Sequence, residues 1–372
     1  MKSKYLLTAA AAFALTTWAT GASAAGKWDG ADDLPTNPLA CEAGGAGAVA
    51  SKPYDGGQPT NPPNKAGKEI TLVDVPKLIG IGYFNATSKG IQDAAKELGN
   101  VKAKTDGPTE AKIDEQIKFI DNYITSGVDG ILFAANDPVA IAPVLKKALS
   151  KGIHVIGYDA NSTPDAREWF VNQAEFNGIA KAMMDSMAKE IGEDGSFAIV
   201  TSTFTTPNQA RWIAEMSAYT AKCHPKMKWL ETVEAQEDNV LSKNQATTLI
   251  NKYGDKLKGL FGMTSVATPA SAEAVTKAGL CGKVAVVGLA TPNAMKPYVH
   301  ADCVKSVVLW NPIDLGYAAT YVLRAVEDGK LKPGAASVEA GKLGKLTVVN
   351  GSEILLGPPF IYDKANIDKF DF

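Results

Sequence analysis

The sequence is poor in the residues that most metal proteins and many enzymes rely on. It has 3 histidines in 372 residues. They are His154, His224 and His300, too few and too scattered for a histidine-rich metal site. There is no G-x-S-x-G elbow, Walker A loop, H-E-x-x-H pair or C-x-x-C. The chemistries that those motifs carry are therefore without support. Gly80-Ile81-Gly82 is a lone G-x-G after a strand, with no third glycine in place, so a dinucleotide site is unsupported too. His154 opens a strand and His224 precedes Pro225 in a turn; both read as structural. A secreted carbohydrate-active enzyme stays open, because paired acids carry no short motif. Charge of one sign is also missing: 38 basic against 40 acidic residues leave a formal net charge of −2. That is no footprint for nucleic acid or an anionic membrane.

What is present begins with an address. Lys2 and Lys4 precede an apolar stretch from Tyr5 to Trp18, and Ala22-Ser23-Ala24 fits a small-residue cleavage site. This reads as a secretory signal peptide over residues 1–24, cut before Ala25. The apolar stretch is too short for a membrane span. Losing the two lysines takes the formal net charge from −2 to −4. The destination is then the periplasm. Residues 25–68 form a Gly/Pro/Asn-rich extension with loop signals at Asp55-Gly56-Gly57 and Asn61-Pro62-Pro63. Cys41 lies in it. With Cys223, Cys281 and Cys303 it makes 4 cysteines, an even number in an oxidising compartment. Three pairings are possible. Cys281 and Cys303 each precede a short apolar strand. If those strands are parallel neighbours, Cys281–Cys303 and Cys41–Cys223 are the pairs; separate buried thiols are the alternative.

From Ile70 onward, strands and helices alternate. Ile70–Val75, Val101–Thr105, Gly130–Ala134 and His154–Tyr158 read as strands. Lys89–Leu98, Lys112–Ser126 and Val139–Ser150 read as the helices between them, with Gly99, Gly127 and Gly152 as C-terminal stops. In Lys112–Ser126, Ile113, Ile117, Ile120 and Ile124 make one apolar face. The pattern then restarts, with helices Gly178–Ile191, Asn208–Cys223, Leu241–Tyr253, Ala270–Ala278 and Leu315–Asp328. The strands among them are Ser196–Thr201, Met227–Val233, Gly259–Met263, Lys283–Leu289 and Val304–Leu309. Two such sets imply an α/β chain of two doubly wound parallel-sheet lobes.

Ligands of open α/β sheets bind outside the carboxyl ends of the strands. Chemistry-bearing residues gather there: Lys77, Phe84 and Asn85; Asn136 and Asp137; Asp159 and Asn161; Asn208 and Gln209; Met263 and Ser265; Trp310 and Asn311. Amides and carboxylates suit the hydroxyls of a polyhydroxylated ligand, and a lysine can donate to its oxygens. Charge-assisted bonds are the stronger ones, which singles out Lys77 and Asp159. Aromatic faces pack against the C–H face of a sugar. The competing readings are ordinary ones. Asn208 starts its helix as a cap, Asn136-Asp137-Pro138 is a turn, and Trp169, Trp212 and Trp310 are core.

Val75-Pro76-Lys77-Leu78-Ile79-Gly80, Asp106-Gly107-Pro108-Thr109, Val287-Gly288-Leu289-Ala290-Thr291-Pro292-Asn293 and the tail from Asn366 to Phe372 carry a resemblance. The chain resembles a type I periplasmic solute-binding protein of the ribose-binding superfamily, most of all the autoinducer-2-binding and rhamnose-binding subgroup. The resemblance implies two lobes joined by a three-segment hinge, placed near Asn161–Asn172, Trp310–Pro312 and Gly334–Gly344. The first lobe would then hold residues 69–162 and 312–335, and the second 163–311 and 336–372. It implies no cofactor and a monomer. It also implies delivery of a sugar-like solute to an inner-membrane ABC permease, with docking to a chemoreceptor as an alternative role. Lys77 and Asp159 match the autoinducer-2-binding pattern. Asn208 stands where that pattern has an aspartate, Gln209 matches, Asn311 replaces an aspartate, and Met263 and Ser265 replace a proline and an alanine. An amide both donates and accepts where a carboxylate only accepts. A different monosaccharide, deoxysugar or polyol is therefore expected, with autoinducer-2 binding and uptake as the alternative.

Overall fold

The computed structural model describes residues 34–42 and 52–372; the expected signal peptide and its cleavage site lie outside them. Strands and helices alternate as β1 (Ile70–Val75), α1 (Gly82–Leu98), β2 (Val101–Thr105), α2 (Ile113–Ser126), β3 (Gly130–Phe133), α3 (Ala142–Ser150), β4 (His154–Tyr158) and β5 (Trp169–Asn172). There follow α4 (Phe176–Ile191), β6 (Ser196–Thr201), α5 (Pro207–Cys223), β7 (Lys228–Glu234), α6 (Asn239–Tyr253) and β8 (Gly259–Gly262). Then come α7 (Ala267–Lys277), β9 (Ala285–Gly288), α8 (Pro292–His300), β10 (Ser306–Leu309) and α9 (Pro312–Glu327). The chain ends through β11 (Ser337–Glu339), β12 (Lys345–Val349), β13 (Glu353–Leu355) and β14 (Phe360–Asp363).

These strands form two main sheets. In the first, the parallel order is β2-β1-β3-β4-β5, extended beyond β5 by β13, β12 and β11. In the second it is β7-β6-β8-β9. A parallel bridge from Leu289 to Val308 brings β10 alongside β9, and β14 runs antiparallel to β10. Each sheet therefore reverses its winding beside its first strand, where a crevice opens at the carboxyl ends. Side chains alternate across the first sheet. Ile70 and Leu72 of β1 join one core, and Val73 and Val75 join the other. Ile120 and Leu145, from α2 and α3, cover the second face. Ile91 and Leu323, from α1 and α9, cover the first. Helices on both faces define a doubly wound sheet.

α1 crosses α9 so closely that only glycine fits. A Cβ on Gly90 would sit 1.8 Å from the Ile313 carbonyl oxygen, and one on Gly316 would sit 2.1 Å from that of Thr87.

Several boundaries differ from expectation. α1 starts at Gly82 rather than Lys89, so Tyr83, Phe84 and Asn85 lie in its first turn. Gly80, with φ of 90°, turns the chain sharply enough for the helix to begin at once. Residues 161–172 are not simply a crossing. Trp169–Asn172 is a fully buried strand paired with β4. The expected crossing at Gly334–Gly344 is replaced by β11 and the turn that follows it, part of the first sheet. Sheet membership thus assigns β5 and β11–β13 to the first lobe, not the second. The chain passes between the sheets at 173–175, at 310–311 and at 356–359. α8 was not anticipated; it carries prolines at its start and inside it, Pro292 and Pro297.

The described part of the extension lies along the body. Cys41 is bonded to Cys223 at the end of α5, and Cys281 is bonded to Cys303. The Asn37 backbone donates to Glu215 of α5, and Asn177 of α4 donates back to the Asn37 carbonyl at 2.9 Å. Residues 52–68 instead lie on the first lobe. Gly57 N donates to the Arg167 carbonyl at 2.9 Å, Thr60 N to the Leu149 carbonyl at 2.8 Å, and the Tyr54 hydroxyl to the Glu168 carbonyl at 2.9 Å. His154 is held between Glu168 at 2.9 Å and Glu327 at 3.3 Å. Burial disfavours its charged form, but the two carboxylates outweigh it and push its pKa up to about 9.

Candidate functional site

The cleft between the carboxyl ends of the two sheets is narrow, with about 30 Å³ of room, on the order of one water molecule. The first lobe supplies Lys77 after β1, Tyr83 and Phe84 at the start of α1, and Asp159 after β4. The second supplies Asn208, Gln209 and Trp212 from the start of α5, Glu237 after β7, and Met263, Thr264 and Ser265 after β8. Leu289, Leu309 and Trp310 complete the wall.

Lys77 is only 3% exposed. Its ammonium lies 3.4 Å from Asp159 Oδ2, 3.4 Å from Glu237 Oε1 and 3.3 Å from Asn208 Oδ1. Burial disfavours the ammonium, yet the two carboxylates prevail and hold its pKa above the usual lysine range. It therefore stays charged. The loop that presents it is fixed from below: Asn136 Nδ2 donates to the Lys77 carbonyl at 2.9 Å. Fully buried Gln116 accepts from Asn136 and donates to the Ala134 carbonyl at 2.7 Å.

Asp159 sits on left-handed backbone, with φ of 58°. It accepts the Tyr83 hydroxyl at 2.9 Å. Tyr83 in turn accepts Trp310 Nε1 at 2.9 Å. Burial first, and then the Asp159 charge, raise the Tyr83 pKa well above its usual value, so it remains a neutral donor. On the other side, the Gln209 carbonyl end is locked by the Thr201 hydroxyl at 2.6 Å and the Ser202 backbone at 2.7 Å. That lock aims its amide nitrogen at Glu237 Oε1, 3.4 Å away. Asn208 Nδ2 lies 3.4 Å from Asp159 Oδ2. The contacts that cross the cleft, Lys77 to Glu237, Lys77 to Asn208 and Asn208 to Asp159, are all longer than the roughly 2.7–2.9 Å of tight charge-assisted bonds. The Trp310 ring lies 5.7 Å from Trp212 and edge-on to Tyr83 at 6.1 Å. Trp212 Nε1 is buried with no hydrogen-bond partner.

Of the residues singled out in the sequence, the cleft gathers Lys77, Phe84, Asp159, Asn208, Gln209, Met263, Ser265 and Trp310. The other five point elsewhere. Asn85 is exposed and lines a separate outer dent. Asn136 supports the Lys77 loop from behind. Asp137 caps the following turn through the Val139 and Ala140 backbone nitrogens. Asn161 accepts from Arg167 Nε at 3.0 Å. Asn311 caps α9 by accepting from Ile313 N and Asp314 N. Asn208 is not the helix cap that its position suggested, since Pro207 is the first helical residue and Thr206 the cap. The sequence reading missed Trp212, Glu237, Leu289 and Leu309 as cleft residues. Glu237 had a usable signal: it follows an expected strand, as Lys77 and Asp159 do.

Residues 73–331 match the model of the periplasmic binding protein domain family. The D-ribose/D-allose-binding protein of Pseudomonas aeruginosa is 29% identical over 196 residues, covering 50% of this chain and 60% of that protein's length. The D-allose-binding periplasmic protein of Escherichia coli is 26% identical over 267 residues, covering 69% of this chain and 85% of that protein. A solved ABC transporter solute-binding protein from Clostridium phytofermentas, with bound L-rhamnose, is 30% identical with a TM-score of 0.77. That match covers 81% of this chain and 98% of the other. The family model spans well over half the sequence and the two-sheet fold agrees with it, so this chain belongs to the periplasmic binding protein domain family.

Proposed function

We propose that this protein is the exported substrate-binding component of an ABC importer and closes its two lobes on one small, neutral, polyhydroxylated molecule. A monosaccharide, a deoxysugar or a polyol fits the description. The observation that carries this reading is the meeting of Lys77 and Asp159 from one lobe with Asn208, Gln209 and Glu237 from the other, beside Trp212 and Trp310. A hydroxyl donates to one group and accepts from another, so mixed amides, carboxylates and an ammonium suit a ring of hydroxyls. The indoles offer apolar faces for its C–H side. A ligand that touches both lobes favours the closed arrangement over the open one. The names of the similar proteins, which mention ribose, allose and rhamnose, support a sugar.

The test is a thermal-shift screen over pentoses, hexoses, deoxysugars, polyols and autoinducer-2. A true ligand at 100 times its dissociation constant is expected to add about 2.7 kcal/mol of stability. If autoinducer-2 alone stabilises the protein, the sugar reading fails. If nothing in the panel does, so does the wider class.

A further inference from the structure

We propose that Glu237 is the second ligand-reading carboxylate of the cleft, the counterpart from the second lobe of Asp159 in the first, and that it selects neutral sugars against their acid derivatives. The proposal rests on the sugar-binding reading above and names its selectivity. Three observations carry it. Glu237 is buried in the cleft wall, 8% exposed, and faces Lys77 and Gln209 across gaps of 3.4 Å each. It also stands on left-handed backbone. Gln236 and Glu237 have φ of 51° and 53°, and Asp159 has φ of 58°. Non-glycine residues held in that region cost free energy and gather at ligand clamps. Here both carboxylates that face Lys77 share the trait, one from each lobe. Thirdly, Trp212 lines the same cleft and its Nε1 is a buried donor without a partner.

The charges decide the selectivity. Lys77 is the one cation among the residues lining the cleft, against Asp159 and Glu237. A neutral sugar brings hydroxyls to these groups and leaves that balance alone. A sugar acid brings a third carboxylate into a buried space that already carries excess negative charge, and like charges at close range disfavour its ionised form. Rejection of this kind works through repulsion rather than better contacts.

The test compares wild type, Glu237→Gln and Glu237→Asp by calorimetry. The probes are neutral aldoses (D-ribose, D-allose, D-galactose and L-rhamnose) and two acids, D-ribonate and D-galacturonate. Glu237→Gln is expected to weaken the neutral sugar tenfold or more and to narrow the neutral-to-acid affinity ratio at least tenfold. Glu237→Asp, which keeps the charge, is expected to keep the ratio. Should Glu237→Gln match wild type in affinity and ratio, the role of Glu237 falls while the sugar reading stands. Should wild type bind no neutral sugar or polyol of the wider screen, the sugar reading falls and takes this one with it.

Discussion

Asp159 holds three kinds of partner at once: the Tyr83 hydroxyl, the Lys77 ammonium and the Asn208 amide. Asp159→Ala strips all three and is expected to weaken binding of the ligand found in the screen by about 2 kcal/mol. Titration calorimetry checks this; unchanged affinity removes Asp159 from the site. A second carboxyl, Asp74, lies wholly buried inside β1, bonded by the Tyr158 hydroxyl at 2.9 Å and the Thr105 hydroxyl at 3.0 Å. Burial pushes its pKa up to about 7. The folded state then holds a proton that the unfolded chain releases near pH 4. Stability from this group is present at acid pH and falls as pH rises from about 4 to about 7. Asp74→Asn keeps an acceptor and removes the titration. Urea unfolding at pH 5 and pH 8 is expected to show the variant gaining on wild type at the higher pH. Lys77 and Asp159 were legible in the sequence because each follows a largely buried, mostly apolar strand. Glu237 follows β7, an edge strand whose residues alternate unevenly between buried and half-exposed. Its end therefore stands out less.

Among the elements, the crossing of α1 and α9 governs the site most directly. α1 carries Tyr83 and Phe84 into the cleft, and α9 follows Trp310. Gly316→Ala puts a methyl group into the Thr87 carbonyl. It is expected to cost about 1–3 kcal/mol, the range for overpacking a tight interior, and to weaken ligand binding as the helices part. Chemical unfolding and calorimetry on the same sample read both effects. The regular helices were legible from apolar periodicity and glycine stops. α8 was not, because a proline within a helical stretch ordinarily ends it. β5 was read as part of a crossing because Arg167 and Glu168 precede it and its pairing depends on β4 and β13, distant in the chain.

At the scale of the whole molecule, the alternation of strands and helices announced two lobes. The membership of the late strands was not announced: β11–β13 are short, and only the partners they find in the first sheet say where they belong. The extension carried only loop signals, yet residues 34–42 lie on the second lobe and 52–68 on the first. The Cys41–Cys223 bond fixes the former across a sequence separation of 182. Replacing both cysteines by serine is expected to cost about 2–4 kcal/mol, as for other disulfides that close long loops. A calorimetric melt checks this; an unchanged melting temperature would show the extension to be energetically idle.

The layout of the first sheet also sets an order of assembly. β13 lies between β5 and β12, though nearly the whole second lobe separates β5 from β13 along the chain. As the polypeptide emerges from N- to C-terminus, β6 to β9 can find one another while the outer side of β5 still has no neighbour. An unpaired strand edge is a template for pairing with another chain. That edge of the first lobe is covered only once β13 arrives, and truncations that stop short of β13 should leave it bare for good.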